Sequence, residues 1–289
     1  MTTINEHKII NGTAIATEIS AITAAEISLL PQAPGLAVIQ VGNDVASTVY
    51  VKNKKNSCNK IGIKCINYNL TETITESELI TVINKLNNDT SINGILVQLP
   101  LPATLNKNTI CGTILPSKDV DGLTANNLGK LLLGSNDTFV PCTPKAILTI
   151  FKKMNITVKG KRITMVGASD IIGKPLALAL INAEATLTIC NKETLNLAES
   201  VANAEILITA IGKHNVIQTH WLTKGVIVID IGINRLEKKI VGDIDFEKAL
   251  TQAQYITPVP GGVGPITIAM LMKNTLLAYK RQTGYNTQY

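Results

Sequence analysis

The chain has 289 residues, of which 45% are hydrophobic and 17% charged, with 20 Gly and 11 Pro; that length fits two domains or one large α/β domain, and the balance excludes a disordered or fibrous chain. Lys and Arg number 27 against 21 acids, a net charge of +6, which suits small anionic ligands; with only 3% aromatic residues, stacking platforms for nucleic acid are scarce. No run reaches the roughly 20 uncharged apolar residues a bilayer span needs, the polar start MTTINEHK has no apolar signal core, and five Cys without a CxxC pair fit reduced thiols, so a cytoplasmic protein without membrane partners is expected.

Residues 12–30 carry apolar positions at helical spacing and end at Pro31. Gly35–Val41 (GLAVIQV) is a short apolar run between Pro34 and Gly42 and is predicted as a buried strand. Asp44 is a predicted N-cap for a helix ending near Gly62. Lys64–Leu70 reads as a strand, and Thr75 with Glu78 forms a capping-box pattern opening a helix to about Asn87. Residues 94–99 (GILVQL) form a third strand, stopped by Pro100 and Pro102. A second series follows: helix 144–154, strand Arg162–Val166, helix 174–184 with Pro175 in its first turn, strand Thr186–Cys190, helix 195–203, strands 206–210 and 226–231, and a last helix, 265–280. Strands separated by single helices imply parallel sheets covered on both faces. The predicted fold class is therefore α/β in two domains, a three-layer N-terminal domain and a Rossmann-like one. The boundary falls near 136–141, where Gly, Ser, Asn, Asp and Pro cluster. Residues 1–140 make the first domain and 141–264 the second, with residues 265–282 packing back on the first.

Gly167-Ala168-Ser169-Asp170-Ile171-Ile172-Gly173 lies between a predicted strand and a predicted helix, where a dinucleotide-binding domain puts its glycine-rich turn. A pyrophosphate needs small residues and backbone N–H groups at a helix start. Gly167 and Gly173 supply two of the usual glycines, and Ser169 replaces the middle one. The same run would also serve a tight turn that binds nothing. After the next strand stand Asn191, Lys192 and Glu193. A Lys there can pair with a 2′-phosphate, which favours NADP, whereas Glu193 could serve the ribose of NAD. Ala210-Ile211-Gly212 and Asp230-Ile231-Gly232-Ile233-Asn234 are further turns at strand carboxyl ends, where glycine permits close backbone approach.

In the first domain Ser47, Tyr50 and Lys54 share a face of the Asp44–Gly62 helix, with Lys52, Lys55 and Lys60 nearby. Burial and like charges lower a lysine's pKa towards neutrality, which makes it a usable proton carrier. An ordinary solvated basic face is the competing reading. Gln98 ends the third strand, where its amide could orient a lysine. Asp119-Val120-Asp121-Gly122 offers two carboxylates, too sparse for a metal cage. One could accept two N–H bonds from an amino-pyrimidinone edge while the other holds structure. His7, His214 and His220 show no metal-ligand spacing, and no G-x-S-x-G elbow is present, so no metal is expected.

Taken together, these stretches resemble the bifunctional methylenetetrahydrofolate dehydrogenase/cyclohydrolase family, the FolD proteins. The most specific are residues 50–54 (YVKNK), 94–102 (GILVQLPLP), 118–122 (KDVDG), 141–144 (PCTP), 230–234 (DIGIN) and 257–265 (TPVPGGVGP), in that order along nearly the whole chain.

The resemblance implies two reactions at one cleft between the domains. A hydride passes from 5,10-methylenetetrahydrofolate to NADP⁺, and water then opens the methenyl cation to 10-formyltetrahydrofolate. It implies that Lys54 shuttles protons, Gln98 tunes Lys54, Tyr50 stacks on the folate rings and Asp121 holds the pterin's amino edge. Leu99, Gly262 and Val263 would contact the substrate, and Gly167, Ala168, Ser169, Lys192 and Ile233 the cofactor. It also implies a homodimer acting on small tetrahydrofolate derivatives, with no nucleic-acid partner. Leu99–Pro100 and Val259–Pro260 are candidate cis peptides. Many members carry Arg at position 168, His at 191 and Ser or Arg at 192, where this chain has Ala168, Asn191 and Lys192; these departures bear on cofactor preference. The alternative enzyme reading is another two-domain dehydrogenase of the shikimate or amino-acid type. The non-enzyme alternative is a basic nucleic-acid-binding module.

Overall fold

A computed structural model describes residues 6–237 and 239–285. The chain forms two compact units. The first unit gathers Thr17–Cys142 and the chain from Ile268 on; the second holds Thr143–Thr267 and the described residues up to Ala16. That leading segment departs from the expected division at residue 140. Its backbone finds partners in the second unit: Ile9 bridges Ile256 in parallel and the Ile10 N–H donates to Ile256 O at 2.8 Å.

After α1 (Gly12–Ser28), the first unit runs β1 (Gly35–Val41), α2 (Val45–Ile61), β2 (Lys64–Leu70), α3 (Glu76–Asn88), β3 (Gly94–Val97), α4 (Lys107–Gly112) and α5 (Ala125–Leu132). Its three strands are parallel in the order β2-β1-β3. All seven residues of β1 are buried, as a central strand covered on both faces requires. Ala37, Ile39 and Val41 pack with Leu79, Ile83 and Leu86 of α3 and with Ile95 and Val97 of β3. Local chemistry sets the helix ends. The Asp44 carboxylate accepts from Ser47 N at 2.7 Å, and Gly62 closes α2 in the left-handed region with its N–H on Cys58 O. Both halves of the Thr75–Glu78 capping box form.

The second unit continues from α6 (Cys142–Lys153) through β4 (Arg162–Val166), α7 (Gly173–Asn182), β5 (Thr186–Cys190), α8 (Leu197–Ala202), β6 (Ile206–Thr209), β7 (Ile227–Asp230), β8 (Asn234–Leu236), β9 (Lys239–Val241), α9 (Phe246–Gln252) and β10 (Tyr255–Ile256) to α10 (Val263–Thr283). The five-stranded sheet is parallel in the order β10-β7-β6-β4-β5. Counted within this unit, β4 and β6 are first and third, so the order reverses between them. Ligands of open α/β sheets bind outside the strand carboxyl ends at such a point. Val166, Leu207, Val228 and Ile256 from these strands share a core with Ala249 and Leu250 of α9. The β8–β9 ribbon, strand β10 and helices α4, α5 and α9 add to the predicted elements. Strand β3 stops at Val97, two residues short of the predicted end. Leu99–Pro100 and Val259–Pro260 are both cis. No described helix is long and apolar enough to cross a membrane.

Candidate active site

Helix α2 divides its lysines. Val51 and Cys58 bury one face, Lys52, Lys55 and Lys60 lie exposed, and Lys54 is half-buried. Its Nζ donates to Gln98 Oε1 at 2.9 Å. Gln98 is held by two further bonds: its N–H donates to Ile39 O at 2.8 Å, which seats it just past the carboxyl end of β3, and its Nε2 donates to Leu99 O at 2.7 Å. With Nε2 committed, the carbonyl end of the amide is the one turned to the lysine. Burial pushes the Lys54 ammonium below the usual lysine value, while the Asp121 carboxylate and the thiols of Cys142, Cys58 and Cys65 act the other way. Burial is thus the cause, in place of the like-charge effect expected from the neighbouring lysines, whose side chains point into solvent.

Asp121 reaches Lys54 electrostatically from a loop held on several sides. Asp119 bridges Ile95 in parallel and the Ile95 N–H donates to Lys118 O at 2.8 Å. Val120 O accepts from Asn274 Nδ2 at 2.8 Å and from Cys142 Sγ at 3.4 Å. Burial raises the Asp121 carboxyl above the usual carboxylate range; Lys54 lowers it, Asp119 raises it, and a hydrogen bond with the Cys142 thiol lowers it. The two carboxylates of the DVD run have different surroundings. Asp119 is 2% exposed and accepts from Leu123 N, Thr124 N and Asn127 Nδ2 at 3.1, 2.8 and 2.8 Å. Asp121 has no backbone N–H partner of this kind among the described bonds. Tyr50, one turn before Lys54, is half-buried, and burial raises its phenol. Lys54, Gln98 and Asp121 therefore meet in one unit, with Tyr50 on the same helix and Leu99 next to Gln98.

The second unit carries the other predicted residues. Gly167 leaves β4 with φ +122°, and a Cβ there would lie 2.4 Å from Ala210 O at the end of β6. A Cβ on Gly173 would lie 2.4 Å from Gly167 O. The first glycine thus allows the tight turn and the second the close approach of α7 to the strand, two of the three glycine roles in a dinucleotide fingerprint. Ser169 Oγ accepts from Ile172 N at 3.3 Å and Gly173 N at 3.4 Å, ordering the helix start. Ala168 is half-buried and Ser169 exposed, so small residues front this end of the sheet, a fit for a pyrophosphate. Lys192 Nζ stands 3.4 Å from Glu193 Oε1, both side chains in solvent. Ile233 is 51% exposed. Gly262 and Val263 are buried, and the close approach of that glycine run is made to Gly12, whose Cβ would overlap Gly262 O.

Two family models cover these parts of the chain: "Tetrahydrofolate dehydrogenase/cyclohydrolase, catalytic domain" matches residues 10–121, and "Tetrahydrofolate dehydrogenase/cyclohydrolase, NAD(P)-binding domain" matches residues 141–283. A curated relative, "Bifunctional protein FolD" of Acetivibrio thermocellus, is 48% identical over 281 residues, 96% of this chain and 98% of that one. The chain belongs to the tetrahydrofolate dehydrogenase/cyclohydrolase family. Among solved structures, the FolD methylenetetrahydrofolate dehydrogenase/cyclohydrolase of Campylobacter jejuni superposes with a TM-score of 0.93 at 44% identity, covering 94% of this chain and 98% of that one. The Trypanosoma brucei FolD structure, complexed with NADP cofactor and inhibitor, gives 0.93 at 34% identity, covering 96% and 98%.

Within this family frame, two groups beside the predicted residues went unread in the sequence. Cys142 touches both Asp121 and the Val120 carbonyl, and its sequence signal is its place inside the Pro141–Pro144 motif. Asp243 is fully buried behind the DIGIN turn and accepts from Asn234 Nδ2 at 2.9 Å. Its only sequence signal is an acid after a glycine beyond a short ribbon.

Proposed function

We propose that this chain oxidises 5,10-methylenetetrahydrofolate to the 5,10-methenyl form with NADP⁺ and hydrolyses that product to 10-formyltetrahydrofolate. The observation that carries the reading is the Lys54–Gln98 contact of 2.9 Å, with Lys54 lowered by burial beside Asp121. The methenyl carbon is a cation, so water attacks it without a metal. A C–O bond forms, the N5–C bond breaks, N5 takes one proton and one is released. Lys54 as the free amine takes a proton from the attacking water and, as ammonium, returns one to N5. Gln98 Oε1 accepts from Nζ, which leaves the amine lone pair for that water. Tyr50 supplies a face for the folate rings, and Asp121 accepts from the pterin's amino edge. NADP⁺, when bound, accepts the hydride; the chain's part in that step is orientation. Gly167, Ala168 and Ser169 would hold the dinucleotide phosphates at the start of α7, Ile233 would contact the cofactor, and Leu99, Gly262 and Val263 the substrate. A soluble homodimer acting in the cytoplasm on small folates is the assembly we propose.

The test follows methenyltetrahydrofolate by absorbance. Formation from the methylene substrate with NADP⁺, and enzyme-dependent decay of added methenyl substrate, are the expected results; background rates for both would overturn the reading. Cofactor choice is a separate measurement. Lys192→Ala is expected to lower kcat/KM for NADP⁺ by about three- to tenfold and leave that for NAD⁺ unchanged, because an exposed cation–phosphate contact is worth little more. Equal NADP⁺ use by the variant would remove Lys192 from the site.

A further inference from the structure

Two carboxylates are buried in the second unit away from Lys54. Asp243 is 0% exposed and Asp230 4%. Asp243 Oδ2 accepts from Ile211 N at 2.7 Å, Thr209 Oγ1 at 2.9 Å and Gly212 N at 3.3 Å; Oδ1 accepts from Asn234 Nδ2 at 2.9 Å and Lys213 N at 3.1 Å. Three consecutive backbone N–H groups converging on one anion form a nest, a geometry that elsewhere holds phosphate. Here the chain fills it with its own side chain. Asp230 answers from the other side, accepting from Gly232 N at 2.8 Å and from Asp243 N and Ile244 N at 3.1 Å. A Cβ on Gly232 would fall 2.1 Å from Asp243 Oδ1, and one on Gly242 2.0 Å from Asp230 Oδ2. The two glycines are therefore the space into which the two carboxylates fit.

What these carboxylates hold has a place in the fold. The Ile211–Lys213 nest follows β6, and Asn234 follows the turn after β7. Ala210, the residue before the nest, is the one Gly167 approaches across the reversal point of the sheet. We infer that Asp243 is a positioning residue for the dinucleotide: it fixes the two turns beyond β6 and β7 against which the cofactor lies, without touching the cofactor itself. This rests on the NADP-dependent reading above and names the device that keeps the cofactor turns in place. Its charge is essential to the device, because all five donors point at it and an amide would turn an N–H towards N–H groups.

The test is Asp243→Asn in the full chain. The dissociation constant for NADP⁺, by fluorescence or calorimetry, is expected to rise at least about tenfold, since several charge-assisted hydrogen bonds weaken together. KM for NADP⁺ should rise with it, while hydrolysis of added methenyltetrahydrofolate without cofactor stays within about twofold. A merely structural defect would lower both activities in parallel, and that result would overturn the inference. Should Asp243→Asn fail to accumulate folded, Thr209→Val removes one donor at constant shape, with an expected rise in the same constant of about threefold. An unchanged NADP⁺ constant in a folded variant would also overturn the inference and leave the enzyme reading intact. A wild-type chain that binds no NADP⁺ would overturn both.

Discussion

Lys54→Met is expected to lower hydrolysis of methenyltetrahydrofolate by about 10²- to 10⁴-fold, the range a positioned acid–base group contributes. Dehydrogenase turnover should survive in part, because hydride departure from the methylene carbon needs no base. Met keeps the length and apolar stem of the side chain, so Val51 and Cys58 keep their surroundings. The wild-type pH profile carries a second expectation. Burial lowers the Lys54 pKa, so the free amine appears at lower pH than for a solvent-exposed lysine, and hydrolysis should rise with pH through a midpoint below 10.5. The stability consequence has a definite sign. Between the lowered native value and the ordinary one the unfolded chain binds more protons, so Lys54 makes stability increase with pH in that window. Below it the buried ammonium is a standing cost, and Lys54→Met should leave Tm at neutral pH unchanged or higher. Full hydrolytic activity in the variant would exclude Lys54 as the proton carrier.

The parts of the fold that sequence reading reached share a physical reason. β1 and β4 were legible residue for residue because a central parallel strand buried between layers is a compact apolar run; β2 and β5, partly exposed edge strands, show instead as short alternating runs between helix ends. Helix α2 was bounded by Asp44 and Gly62 for equally local reasons. Helices α4 and α9 are six and seven residues long, too short for a 3.6-residue period to show, although Asn106 and Asp245 cap them. The ribbon β8–β9 has three residues a side and little alternation to read.

The candidate site divides in the same way. Placing Lys54 and Tyr50 on one helix face needed only spacing. The Lys54–Gln98 bond spans 44 positions and depends on β1 standing between β2 and β3, which no local pattern encodes. The sinking of Lys54 among Cys58, Cys65 and Cys142 is a tertiary fact, and so is the difference between Asp119, held by N–H groups of its own loop, and Asp121, buried beside Lys54. Asp243 was beyond reach for a related reason: its partners lie 9 to 34 positions away. A nest announces itself only once its anion is in place.

Gly167→Val is expected to disable NADP⁺ binding while leaving cyclohydrolase activity in place. At φ +122° a β-branched residue is strained by about 1–3 kcal/mol whatever surrounds it. The added Cβ would also sit 2.4 Å from Ala210 O and 2.8 Å from Ala210 C. These are backbone atoms of β6's continuation, and they cannot rotate aside as a side chain would. Either β4 and β6 part at their carboxyl ends or the Gly167–Gly173 turn shifts, and each moves backbone out of the dinucleotide position. Strain and overpacking together should cost about 2–5 kcal/mol, seen as a lower Tm and a rise in the NADP⁺ dissociation constant of at least about tenfold. Lys54, Gln98 and Asp121 belong to the other unit, so decay of methenyltetrahydrofolate reads the proton-carrying residues separately from the dinucleotide turn. Gly160→Ala is the matched control: its φ is +71° and nothing lies within 4 Å of the new Cβ, so only the left-handed penalty of about 1 kcal/mol remains and NADP⁺ binding should not change. Unaltered Tm and NADP⁺ affinity in Gly167→Val would mean that the turn yields freely, and the close approach of β4 and β6 would lose its role in cofactor binding.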